Sequence, residues 1–177
     1  STSTVRKFEE IVKVAETQGG LAKIAFINAV INALIDYEPD RTQWGVADQW
    51  TAPFINKKGA FETGHGDCED YALAKYVALR QAGVRSEDVR VVLVHDYAVR
   101  VDHAILAVRH DKHWLILDNR WDKLVEDKEL TQFKPLAVVD VVATRQQDQF
   151  LAVVRRVCWW YQEAVRHQVV DELRAHR

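Results

Sequence analysis

Gly66-Asp67-Cys68-Glu69-Asp70-Tyr71-Ala72 sets one thiol at the start of a helical stretch and surrounds it with three carboxylates. Acidic groups in a first helical turn face the positive end of the helix dipole, so this local charge has a simple structural use. From here Asp67 to Ala82 reads as a helix, stopped at Gly83. Residues 71–74 and 76–79 are all apolar or aromatic, while Glu69, Asp70, Arg80 and Gln81 gather on one side. A helix this apolar is expected to be central and mostly covered.

Upstream, Val5–Glu16 and Leu21–Tyr37 read as two helices broken at Gly19-Gly20, with Ile24, Ile27, Ile31, Leu34 and Ile35 near helical spacing. Glu38 to Gly66 is a long connection whose aromatic residues Trp44, Trp50, Phe54 and Phe61 mark it as packed. Downstream the period changes. Val89–Val94 is short and β-branched, and Asp102–Arg109 and His113–Asp118 alternate. Leu136–Ala143 adds another strand. Gln149–Arg174 carries Phe150, Val153, Val157, Tyr161, Val165, Val169 and Leu173 in a stripe and reads as a long helix. Helices first and adjacent strands later define an α+β fold, with an antiparallel sheet packed on the Cys68 helix. Residues 1–177 form one domain, of which 145–177 is a C-terminal helical extension.

Bulk properties narrow the function. At 48% apolar and 28% charged the chain is a folded globular protein, and a net charge of −2 gives no overall field that would draw nucleic acid. No apolar run approaches the ~20 residues of a membrane span. Two cysteines are too few for a disulfide scaffold. A single Cys68–Cys158 bridge is the alternative to a free Cys68. The chain begins Ser1-Thr2-Ser3 and has no Met, so a preceding segment, such as an export signal, is expected to have been removed.

The strands at 102–109 and 113–118 are close enough for a hairpin. A turn centred between His110 and Asp111 pairs Val108 with His113 and puts His103 opposite Asp118, with Cβ atoms ~4.5–5.5 Å apart. A carboxylate there orients an imidazole. If the Cys68 helix brings its N-terminus to that sheet face, Cys68, His103 and Asp118 form a Cys-His-Asp triad. Asp67, Glu69 and Asp70 oppose a thiolate, and a bound divalent cation, Ca²⁺ before Mg²⁺, would cancel that effect.

Trp50-Thr51-Ala52-Pro53, Gly64-His65-Gly66-Asp67-Cys68-Glu69-Asp70-Tyr71-Ala72, Lys75-Tyr76, Leu79-Arg80 and Gly83 resemble the bacterial transglutaminase-like cysteine proteinases, whose best-known members are the LapG-type periplasmic proteases. Asp102-His103-Ala104 and Leu117-Asp118-Asn119 fall where that family keeps its His and Asp. The resemblance spans residues 21–140. It implies a papain-like, transglutaminase-like fold and a triad of Cys68, His103 and Asp118. It also implies calcium held by the acids flanking the cysteine, here Asp67 and Glu69 with Asp70 beside them. The implied substrate is a large surface adhesin cut at a di-alanine site in the periplasm. The implied partner is an inner-membrane receptor for cyclic di-GMP.

Two other activities fit the same residues: acyl transfer to an amine, which shares the thioester, and a non-catalytic binding module on the same fold. Asn119 is a substitute orienter for Asp118. Trp50 stands either near the oxyanion site or in the core, and the Cys68 backbone N–H is the expected oxyanion donor. His65, His95, His110 and His113 read as surface residues and Cys158 as a passive thiol. The tail stripe reads as core or dimer contact, and Arg155, Arg156, Arg166 and Arg174 admit a membrane-surface reading.

Overall fold

A computed structural model describes residues 3–45, 60–146 and 149–157. Helices α1 (Ser3–Glu16) and α2 (Gly20–Leu34) come first. Strand β1 (Asp36–Tyr37), the helical turns α3 (Asp40–Gln43) and α4 (Ala60–Thr63), and strand β2 (His65–Gly66) lead to helix α5 (Cys68–Gln81). Strands β3 (Val89–Asp96), β4 (Val101–His110), β5 (His113–Asp118), β6 (Trp121–Glu126), β7 (Phe133–Gln146) and β8 (Gln149–Val157) complete the order. The last six form one antiparallel sheet, β6-β5-β4-β3-β7-β8.

Every residue of α5 from Glu69 to Leu79 is buried, because α2 and the sheet enclose it. Ile27 and Ile31 of α2, Leu73, Val77 and Leu79 of α5, and Leu106, Val108 and Leu117 of the sheet share one core. Truncating a fully buried leucine such as Leu79 to Ala costs about 2–5 kcal/mol. The polar tips in this helix reach backbone acceptors: Tyr76 Oη donates to the Val141 carbonyl at 2.8 Å, and Tyr71 Oη donates to that of Ile35. The helix stops where Gly83 takes φ +89, a left-handed conformation that only glycine adopts without strain. The Val84 N–H then closes on the Leu79 carbonyl at 2.9 Å. Alternate strand residues form a second, smaller cluster on the other sheet face, with Val92, Val94, Ile105, Ala107, Trp114 and Ile116.

Three expectations need correction. Helix α2 ends at Leu34, before Tyr37, because Asp36 and Tyr37 leave it to pair in parallel with His65 and Gly66. Residues 149–157 form strand β8, not the start of a C-terminal helix: the chain doubles back along β7, and this pairing outweighs a helical spacing of apolar residues that is also β-branched. The rest of that expected helix, with Cys158, Arg166 and Arg174, lies outside the described residues, as does Trp50. Finally, the β4–β5 turn is centred between Asp111 and Lys112, both at positive φ, and pairs His110 with His113. Strand β6 carries no clean alternation and was not expected.

Candidate active site

Two structures meet at the amino end of α5. The first is the acidic entry to the helix. Strand β2 holds Gly66 beside β1, where the Glu38 N–H donates to the Gly66 carbonyl at 2.9 Å. A Cβ on Gly66 would stand 2.7 Å from Asp70 Cβ, so only glycine lets the backbone pass this side chain. The Asp67 N–H donates to Asp70 Oδ2 at 3.3 Å, and the Asp40 N–H donates to Asp67 Oδ2 at 3.3 Å. Asp40, Asp67 and Asp70 thereby bring carboxylate oxygens within 4.8 Å of one another. Asp40 and Asp70 are buried, and Asp67 Oδ1 is buried with no hydrogen-bond partner among the described residues. Asp67, Cys68 and Glu69 form a second, mixed group at the same spacing.

Cys68 is the first residue of the helix, and its Sγ donates to Glu69 Oε2 at 3.3 Å. Burial pushes the thiol pKa far up, and the charge of Glu69 adds to the effect. The Ala104 N–H, aimed at the sulfur, opposes this, while the hydrogen bond to Glu69 and the charge of Asp67 reinforce it. Taken alone, these surroundings favour the protonated thiol. Tyr37 stands close enough to feel these charges: burial first, then Cys68, Asp67 and Glu69, raise its pKa.

The second structure is the His103–Asp118 pair. Nε2 of His103 lies 3.0 Å from both Oδ1 and Oδ2 of Asp118. His103 is 5% exposed and Asp118 0%. They are diagonal neighbours, not directly opposed as expected, because Leu106 pairs with Leu117. The shift moves the partner by two positions, and side chains alternate with period two, so both residues stay on one face. That face also carries Ile105 and Ala107, and the His103 ring lies 6.2 Å from that of Phe133. It is the face opposite the one α5 covers. The thiol meets the sheet at the start of β4, where the backbone N–H of Ala104, next to His103 in sequence, faces the sulfur.

Of the residues singled out in the sequence, the structure brings His103 and Asp118 into contact and sets Cys68 at the first position of α5. Asp102 is exposed and bonded to His95 Nδ1 at 2.7 Å, as a surface pair. Sequence reasoning missed Asp40, which follows Pro39 in a connection without periodicity. It also missed Lys75, Asn28 and Asn32, which hold the β5–β6 turn. Lys75 did leave a signal: it is the one charged residue between two apolar runs.

A helix that presents a thiol to a twisted antiparallel sheet places the protein among the transglutaminase-like folds. The family model for the bacterial transglutaminase-like cysteine proteinases matches residues 3–152, beyond the span of 21–140 read from motifs. The chain belongs to that family and is a cysteine peptidase. Among solved structures, calcium-bound LapG of Legionella pneumophila aligns with TM-score 0.69 and 20% identity, over 90% of this chain and 89% of that one. Another Legionella pneumophila LapG structure gives 0.68 and 19%, over 99% and 89%. The EGTA-treated form gives 0.66 and 23%, over 79% and 76%. These likenesses show a common fold. No curated protein matches the chain.

Proposed function

We propose that this peptidase is a calcium-dependent endopeptidase in which Cys68 is the nucleophile, His103 the general base and acid, and Asp118 the group that orients the imidazole. The buried His103–Asp118 pair carries the reading. With Nε2 engaged by the carboxylate, Nδ1 is the nitrogen left to take the thiol proton. Sulfur attacks the peptide carbonyl carbon, and the Cys68 backbone N–H is the expected donor to the oxyanion. His103 then returns the proton to the leaving amine. Water, deprotonated by His103, cleaves the thioester and restores the thiol.

The donor set fits a hard cation. Asp40, Asp67 and Asp70 offer oxygen alone, and the unpartnered Asp67 Oδ1 calls for a positive charge. We assign calcium to this group; Glu69, engaged with the thiol, belongs to the mixed group. A bound calcium ion would supply charge that favours the thiolate. The calcium-bound state of Legionella LapG supports the assignment. Family resemblance supports a periplasmic location, a large surface adhesin cut at di-alanine as substrate, and a cyclic di-GMP receptor of the inner membrane as partner.

Cleavage of an adhesin amino-terminal fragment containing di-alanine, with calcium or with EGTA, tests this reading. The wild type is expected to cut in calcium, and Cys68→Ala and His103→Ala are expected to leave the fragment intact. Undiminished cutting by Cys68→Ala would overturn the assignment. Adding an amine and weighing the products separates hydrolysis from acyl transfer.

A further inference from the structure

Behind the His103–Asp118 pair stands a lysine with no access to solvent. Lys75 is 0% exposed, midway along the fully enclosed part of α5. Its Nζ donates to the backbone carbonyl of Asp118 at 3.0 Å and lies 5.8 Å from the centroid of the Tyr71 ring. Asn32 of α2 donates to the same carbonyl at 3.1 Å, and also to the Trp121 carbonyl at 3.1 Å and to Asp122 Oδ1 at 2.9 Å. Asn28, also 0% exposed, donates to the carbonyls of Trp121 at 3.2 Å and Asp122 at 3.0 Å. Three side chains from two helices thus grip the turn between β5 and β6 where the Asp118 carboxylate turns toward His103.

The grip is an expensive way to hold a turn. Burying an amine costs free energy that an apolar side chain of similar length does not lose, and buried charged groups are often replaceable without loss of stability. What the amine adds is position. It donates in either protonation state, and its acceptor belongs to the residue whose two carboxylate oxygens meet Nε2.

We propose that Lys75, seconded by Asn32, is a positioning residue that fixes the backbone of Asp118 from the helix side, so that the carboxylate holds the His103 ring in place. The proposal rests on the reading of Cys68, His103 and Asp118 as a triad.

The full chain carrying Lys75→Met keeps the side-chain length and loses the donor. Two readouts need no natural substrate: the imidazole ¹⁵N–¹H spectrum of His103, and the rate of iodoacetamide alkylation at Cys68, followed by peptide mass in calcium buffer. We expect the His103 Nε2–H resonance to move, alkylation to slow about tenfold, within what a positioned base supplies, and the melting temperature to hold or rise. An unmoved resonance with an alkylation rate within about twofold of wild type would overturn the proposal, as would a fall in melting temperature with both readouts unchanged. If Lys75→Met does not fold, Asn32→Ala reads the same carbonyl and is expected to move the resonance the same way by less; no movement there would overturn the proposal. His103→Ala separates the two readings. If it does not slow alkylation, the triad reading fails, while the His103 spectrum of Lys75→Met still decides the positioning role.

Discussion

His103 and Asp118 meet in a buried pair whose groups are well supplied with partners: Asp118 Oδ1 also accepts the Arg120 N–H at 3.0 Å, and its carbonyl takes two side-chain donors. At the amino end of α5 the opposite holds. Asp40, Asp67 and Asp70 crowd their oxygens within 4.8 Å of one another, Asp67 Oδ1 is buried with no hydrogen-bond partner among the described residues, and Glu69 leans on the thiol. The first region is closed by contacts within the protein, whereas the second is the region to which the proposed function assigns a calcium ion. On the proposed triad, folding positions the imidazole, and the bound cation is what would favour the thiolate.

This contrast can be broken from either side. The largest effect is expected at the closed region. Asp118→Ala strands His103 and should cost about 3–5 kcal/mol in urea denaturation, as removing one partner of a buried pair does. Peptidase activity should fall about 10²–10⁴-fold. Unchanged stability would show that the pair is not closed.

The open region should respond to calcium instead. At a hundredfold excess over its dissociation constant, a ligand of the folded state adds about 2.7 kcal/mol. For a domain of this size that is about 5–10 °C in melting temperature. EGTA should remove the gain, and Asp67→Asn should abolish it while raising the melting temperature measured in EGTA. Identical melting with and without chelator would reduce the acids to dipole partners.

A pH dependence sharpens the link between the regions. Burial lowers the Lys75 pKa from 10.5 to about 7, against the opposing charges of Asp118 and Asp122. Between these values the unfolded chain holds the proton and the folded chain does not. Stability from this group therefore rises with pH by up to about 1.4 kcal/mol per pH unit across that window. Below pH 7 both states hold the proton and the burial penalty is fully present. Chemical denaturation of wild type and Lys75→Met should diverge most below pH 7 and converge toward pH 10.5. Parallel curves would deny the shift.

Much of this was legible in the sequence because it depends on local pattern. Strand β5 falls on His113–Asp118 as its alternation predicts, and α5 follows from its apolar run and Gly83. The hairpin register was off because Asp111-Lys112 forms a two-residue turn without the usual Asn-Gly. The pair survived the error because a shift of two positions preserves the face. Strand β8 was unreadable for a different reason: its valines suit helix or strand, and only the neighbouring β7 decides. Asp40 joins Asp67 through a fold of the chain that no spacing encodes. Lys75 was readable, as a charge where the helix has no wet side.

The placement of Ala104 beside the sulfur has a consequence in time. His103 and Asp118 belong to one hairpin, closed by a two-residue turn. The thiol arrives on a separate helix, and the backbone N–H of Ala104 in that hairpin faces the sulfur. On the proposed triad, a chain caught before α5 docks holds base and carboxylate without nucleophile, so peptidase activity in a refolding experiment should emerge with the final helix–sheet association and not with strand pairing. The onset of activity then follows from topology, from the packing of α5 on the sheet.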